Sequence, residues 1–367
     1  MTRVLIVITT AFVSYGGLTT VMMNYYRAMN RDGLQIDFAS VNEVGDELKS
    51  ELHRNHSEYY RLPDRKRKLP LYVRALYALS KEYDIVHIHS NSATATIELL
   101  VAKLAGVSIR IVHNHSSSCT HKLVSSMLKA IFNRLYTTSI ACSKQAGEWL
   151  FGKDNFIILN NAIDVKRYSY DAEKRRTIRR KYGISDEDIV IGHVGKMAEW
   201  KNHEYLIEIF SCLHDRIPNI KLLLVGDGVL REQLEETVKR KLLENYVIFA
   251  GMQDDASFFY SAFDVFVFPS LWEGLPLSLV EAQVAGLRCC VSDKVTKEVD
   301  VAGKLVFLSC DETVDKWCDQ IVTIMEYDRQ AESEHNIRLI KENGYDIETE
   351  ANRLRGLYIR KDRRNLK

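Results

Sequence analysis

The segment Pro269-Ser270-Leu271-Trp272-Glu273-Gly274-Leu275-Pro276-Leu277-Ser278-Leu279-Val280-Glu281-Ala282 holds two glutamates with seven residues between them. An apolar run reads into it as a strand, and helical spacing begins near Leu277. Glu273 then falls in the turn and Glu281 about one helical turn inside, so both can serve one pocket. A carboxylate can accept hydrogen bonds from two hydroxyls at once, which suits a ribose diol. Free N–H groups at the helix start can cradle a phosphate. A surface glutamate followed by a dipole-favoured one is the plainer explanation of the same pattern.

A second segment, Gly195-Lys196-Met197-Ala198-Glu199-Trp200-Lys201-Asn202-His203, puts two lysines on one strand-to-helix loop. Ammonium groups there can neutralise a diphosphate and the charge that grows as it leaves. Solvated loop lysines are the other reading. Gly16-Gly17 sits at another strand-to-helix turn, where glycine lets backbone approach a ligand and leaves N–H groups free. Gly226-Asp227-Gly228 lacks a third glycine, so a dinucleotide fingerprint is incomplete there. His87 and His89 alternate on one strand, and His113 and His115 are two apart on or just after the next. Residues i and i+2 share a strand face, so a metal site is geometrically permitted. No cysteine or carboxylate cluster accompanies these histidines, and no metal is expected.

The elements that must position these groups alternate throughout the chain between strand-length apolar runs and helical-period stretches. That is the pattern of parallel sheets with crossover helices. The first half predicts strands over 4–9, 35–39, 85–89, 110–113 and 139–141, with a helix over 20–29. The second predicts strands over 189–194, 221–225, 247–250, 265–268 and 288–291, with helices over 203–213 and 229–241. Two open α/β sheets follow, joined near 166–186 by a charged, mostly helical linker. Residues 1–167 form one expected domain and 168–346 the other. A last helix, about 347–367, is expected to pack back on the first, with 360–367 as a frayed tail. Open parallel sheets bind ligands beyond the carboxyl ends of their strands, and every segment above lies there.

Taken in order, these pieces resemble the family-4 (group 1) retaining glycosyltransferases. Glu273 and Glu281 are similar to that family's E-x7-E motif, and Gly16-Gly17 to its N-terminal glycine loop. Gly195-Lys196 with Lys201 resembles its phosphate-binding segment, and Val225 to Gly228 its V-G-x-G turn. The match runs from about residue 4 to residue 310 and is nearest to members that build bacterial exopolysaccharide or capsule. The resemblance implies a GT-B fold: two Rossmann-like open parallel-sheet domains facing a central cleft, the first on the acceptor side and the second binding the donor.

It also implies roles. Glu281 would hold the donor ribose, and Glu273 would sit near the donor sugar and its α-phosphate. Lys196 and Lys201 would contact the diphosphate, and the N–H groups of Gly274, Leu275, Pro276 and Leu277 (proline excepted) the phosphate and sugar. His115 matches the family histidine near the reacting bond. Two departures stand out: Lys196 replaces the usual arginine, losing its bidentate fork, while Pro276 and Ser278 replace a more common glycine and proline. The implied reaction retains anomeric configuration by same-face attack, the departing phosphate taking the acceptor's proton. No metal or other cofactor is implied. The partners implied are a nucleotide-sugar, UDP being the commoner nucleotide among exopolysaccharide enzymes, and a glycan or polyprenyl-linked acceptor. Asp186-Glu187-Asp188 fits the D-x-D of metal-dependent transferases, but it precedes a strand and is rejected as a metal site. A nucleotide-sugar epimerase, a glycan phosphorylase and a non-catalytic partner subunit share this architecture. A dehydrogenase would need more than Gly226-Asp227-Gly228.

Bulk properties agree with a globular enzyme. The chain has 367 residues, 46% hydrophobic and 27% charged, with a net charge of +1 that argues against a nucleic-acid binder. Residues 1–167 carry 21 Lys/Arg and 14 Asp/Glu, while 168–367 carry 29 and 35. The basic half points to an anionic partner. Arg65-Lys66-Arg67-Lys68 beside Leu69-Pro70-Leu71-Tyr72, and the amphipathic stretch 122–136, could dock on anionic lipid or form solvated faces. Seven cysteines, Cys289 and Cys290 adjacent and the others scattered, read as reduced thiols. With no signal peptide and no membrane-length apolar run, the expected location is the cytoplasm, at most peripheral on the inner face of the cell membrane.

Overall fold

The computed structural model describes residues 1–10, 12, 16–119, 121–153 and 155–359; the tail expected over 360–367 lies outside them. The chain divides into two compact units, 1–162 with 346–367, and 163–345. The division falls five residues before the expected boundary at 167.

The first unit is built on seven parallel strands: β1 (Thr2–Ile8), β2 (Leu34–Ser40), β3 (Tyr59–Arg61), β4 (Ile85–His89), β5 (Ile109–Asn114), β6 (Thr138–Ala141) and β7 (Ile157–Ile158). Their order is β3-β2-β1-β4-β5-β6-β7. β1 and β4 are buried on both faces, which is why they read as continuous apolar runs rather than alternating ones. The terminal helix Ile347–Ile359 packs on the helix Gly17–Ala28 and on β1, placing Leu354 and Tyr358 in this unit's interior.

The second unit has six parallel strands: β8 (Ile189–Val194), β9 (Ile220–Val225), β10 (Val247–Gly251), β11 (Val265–Phe268), β12 (Arg288–Ser292) and β13 (Leu305–Leu308), in the order β10-β9-β8-β11-β12-β13. One apolar cluster gathers Phe263, Phe266, Leu279 and Val280, and a second gathers Leu206, Phe210, Leu234 and Trp317.

The charged linker expected over 166–186 is instead part of this second unit. Its helix Ala172–Lys181 carries Arg175 and Arg179, which pair with the two carboxylate oxygens of Asp264 at 2.7 and 2.6 Å. Arg179, 1% exposed, also donates to the carbonyls of Ala262, Ser185 and Asp188. Charge at the sequence level therefore marks a buried clamp here, not a solvated connector. Asp188 is taken up in the turn before β8, where its carboxylate accepts from the Ser185 N–H at 2.7 Å.

Candidate active site

The second sheet reverses its strand order between β8 and β11. Loops leaving two strands at such a point diverge and open a crevice at the carboxyl edge. β8 feeds the lysine segment and β11 feeds the glutamate segment, so the topology sets the two side by side. The Leu271 N–H donates to the Trp200 carbonyl at 2.8 Å, and Asn202 Nδ2 donates to the Pro269 carbonyl at 3.2 Å.

Between these loops Lys201 Nζ lies 2.7 Å from Glu273 Oε1, with both side chains largely buried. The ammonium sits 4.4 Å from the centre of the Phe268 ring. Burial pushes Lys201 below the usual lysine range, and the Glu273 carboxylate works against that shift. Asn202 adopts φ 57°, ψ 43°, a left-handed conformation that asparagine tolerates well. It joins the turn Glu199–Lys201 to the helix His203–Arg216 and so fixes the point from which Lys201 departs.

Gly226 and Gly228 support this loop from below. A Cβ at Gly226 (φ +125°) would stand 2.1 Å from the Gly195 carbonyl oxygen, and one at Gly228 2.3 Å from that of Met197. The Met197 N–H donates to the Asp227 carbonyl at 3.0 Å. The turn that resembled half a dinucleotide fingerprint is thus required by backbone packing under the lysines. Lys196 is exposed and makes no ion pair among the described residues.

Pro276 caps the helix Leu277–Val284 in extended conformation without a side-chain cap, leaving the first N–H groups open to an anion. An added Cβ at Gly274 would meet nothing within 4 Å, so this turn has room beside it. Leu275 and Leu277 are half-buried and pack at the edge of the apolar cluster. On the same helix Glu281 is 8% exposed, and its Oε2 accepts from the Tyr260 hydroxyl at 2.6 Å. Burial raises its carboxyl above the usual range, against the hydrogen bonds from Tyr260 and Tyr168. The two glutamates therefore have different companions, a cation for Glu273 and phenols for Glu281.

Gly16, Gly17 and His115 belong to the first unit. Gly16, with φ −95° and ψ 136°, caps the helix Gly17–Ala28, and a Cβ at Gly17 would meet nothing within 4 Å. His115 Nε2 shares a 2.8 Å hydrogen bond with His89 Nδ1, and burial lowers its pKa to about 4. His89 pairs in register with His113, so His87, His89 and His113 share a face, with three ring nitrogens within 4.8 Å of one another. The rings stack, His87 on His89 at 28° and on His113 at 9°. His89 and His113 are tilted at 37°, and the spacing of the three nitrogens is one that could hold a metal ion. Burial holds His87 down to about 3, and its Nδ1 meets the Tyr358 hydroxyl at 2.6 Å.

Sequence reasoning missed Tyr168, Tyr260 and His193. His193 lies buried against Phe268, its Nδ1 2.8 Å from the Val267 carbonyl. None of the three carries a local signal, because each meets its partner across more than twenty residues of chain.

Residues 174–342 match the family described as glycosyl transferases group 1, and residues 15–167 match Glycosyltransferase Family 4. The chain is 32% identical over 359 residues to the Bacillus subtilis (strain 168) protein named as glycosyltransferase EpsF, covering 94% of this chain and 93% of that one. It is 29% identical over 308 residues to an Escherichia coli UDP-Gal:alpha-D-GlcNAc-diphosphoundecaprenol alpha-1,3-galactosyltransferase, covering 78% of each. Among solved structures, Anabaena HepE in complex with UDP superposes with a TM-score of 0.77 at 18% identity, over 96% of this chain and 98% of that one. The fold is GT-B, and the chain belongs to the group 1 glycosyltransferases.

Proposed function

We infer that this glycosyltransferase moves a sugar from a UDP-sugar to a glycan or polyprenyl-linked acceptor, with retention and without a metal, in the building of an exopolysaccharide or capsule. The observation that carries the reading is the Lys201–Glu273 pair, 2.7 Å apart, beside the uncapped start of the helix that bears Glu281. A buried ammonium and free N–H groups supply what a leaving diphosphate needs, so a divalent ion has no task there. Lys196, exposed on the same loop, adds a second cation. The UDP named in the HepE complex and the UDP-galactose and diphosphoundecaprenol named for the E. coli relative support the choice of donor and acceptor class. By the resemblance, Gly16 and Gly17 would help to bind the donor, and His115 would lie near the donor sugar at the reacting bond.

Thermal unfolding with UDP tests donor and metal together. At a hundredfold excess over Kd a ligand adds about 2.7 kcal/mol, or roughly 5–10 °C in a unit of this size. The shift should survive EDTA. No shift with UDP, or its loss on chelation, would overturn the reading at that point.

The same proposal includes peripheral contact with anionic membrane. Among the described residues no helix is long and apolar enough to cross a membrane. However, the helix Lys122–Phe132 exposes Leu123 (82%), Met127 (81%) and Ile131 at four-residue spacing, and the neighbouring helix Thr96–Leu104 exposes Leu100 and Leu104. Lys103, Lys122 and Arg134 lie close in sequence to these apolar side chains. Outward apolar side chains with basic neighbours suit a headgroup interface. Sedimentation with anionic vesicles should pull the protein down, less so as salt rises, and Met127→Asp should weaken it. Equal recovery in the supernatant with anionic and neutral vesicles would remove this part.

A further inference from the structure

The structure assigns Tyr260, assisted by Tyr168, as a positioning residue that aims the Glu281 carboxylate at the donor nucleoside. The inference rests on the reading above, in which Glu281 accepts from the ribose.

An ionised carboxylate offers about four acceptor positions and no donor. On Glu281 the Tyr260 hydroxyl takes one from Oε2 at 2.6 Å, and Tyr168 is a second hydrogen-bond partner. Both phenols are themselves held. Their rings meet edge to face, centroids 5.7 Å apart, and Tyr260 also packs on Phe263 and Phe266. With phenols on one side, the carboxylate cannot rotate freely, and its remaining lone pairs are presented in one direction. A ribose diol then meets an acceptor that needs no reorganisation.

Tyr260 is fixed in turn through its backbone. The helix Ser257–Ala262 that carries it has only six residues, too short to be stable by its own hydrogen bonds. Guanidinium groups cover its carboxyl end. Arg329 donates to the carbonyls of Tyr260 and Phe263 at 2.8 Å each, Arg179 to that of Ala262 at 3.2 Å, and Arg175 to that of Phe263 at 3.2 Å. Cations are favoured at that helix end, where carbonyls lack partners. A line of support thus runs from three arginines through Tyr260 to Glu281.

Tyr260→Phe removes one hydroxyl and leaves the ring packing in place. UDP affinity should fall roughly three- to tenfold, the range of an ordinary net hydrogen bond, because the lost hydroxyl orients the carboxylate and does not itself touch the nucleotide. A second readout separates aim from mere stability. The groups acting on Glu281 are the two phenols, Arg167, which lowers its pKa, and Asp255, which raises it; Arg167 and Asp255 are 3.1 Å apart. Arg329 is spent on carbonyls. Binding that needs the carboxylate is present above its pKa and lost as pH falls through it. Without the Tyr260 hydroxyl that pKa rises further, so loss of UDP affinity on acidification should begin at higher pH than in wild type. Comparison with wild type cancels the nucleotide's own titration, and Tyr168→Phe should shift the loss in the same direction.

Calorimetric titration with UDP between pH 5 and 8, on the full chain, decides the matter. Wild-type affinity and an unmoved acid limb in Tyr260→Phe, with Glu281→Gln weakened, would overturn the positioning role and leave the ribose reading intact. Unchanged affinity in Glu281→Gln would instead overturn the ribose reading.

Discussion

Lys201→Met is expected to lower turnover by about 10²–10³ while UDP affinity falls less than tenfold. Removing one preorganised donor from the place where charge develops costs about that much in rate. On the proposed reading the asymmetry follows because negative charge on the diphosphate grows as the glycosidic bond breaks, so the ammonium would be worth more in the transition state than in the bound ground state. Its setting strengthens the effect: Nζ lies in a largely buried spot against Phe268, where attraction is poorly screened. Glu273→Gln has a distinct signature. It removes the group that opposes desolvation of Lys201, so the lysine pKa drops further and activity should fade at lower alkaline pH than in wild type. Steady-state kinetics beside UDP calorimetry checks both variants. A loss in Lys201→Met that is equal in rate and in nucleotide affinity would show that Lys201 only binds.

Arg65→Ala should cost about 3 kcal/mol of stability at pH 7 and lower Tm by roughly 6–12 °C. The basic run containing Arg65 suggested a lipid-facing or solvated loop, but Arg65 Nε lies 3.1 Å from Oε1 of Glu98, which is fully buried. The Tyr72 hydroxyl donates to the same oxygen at 2.9 Å. Burial already raises the Glu98 carboxyl, and Arg65 is the chief opposing influence. Without it the carboxyl would take a proton. Protonating a group of ordinary pKa 4.5 at pH 7 costs about 1.4 kcal/mol per pH unit. The deficit relative to wild type should therefore shrink as pH falls toward 5, and Glu98→Gln should recover most of it. Denaturant unfolding at both pH values measures this. A pH-independent deficit would mean that packing of the arginine stem, not its charge, is what Glu98 needs.

Much of this was legible in the sequence because the signals were local. Buried parallel strands such as β1 and β11 announce themselves as short apolar runs, and Glu273, Glu281 and Lys201 follow them at fixed offsets. The strands β3 and β7, of three and two residues, are too short to show any period. Arg65 reads as lipid-facing or solvated, and the stretch that holds Arg175 and Arg179 as a linker, because a charge run looks alike whether it faces water or a buried carboxylate. Tyr260 could not be found at all, since its partner is set by the crossing of two helices and no spacing records that.

The chain enters and leaves the second unit at neighbouring points, where the Ile163 N–H donates to the Tyr345 carbonyl at 3.0 Å. In modular terms residues 163–345 are a cassette spliced into a host that is closed by its own terminal helix. A short linker can replace such an insert. Residues 163–345 are therefore a contiguous reading frame open to exchange between related enzymes, whereas the first unit is encoded as two separate stretches of the gene.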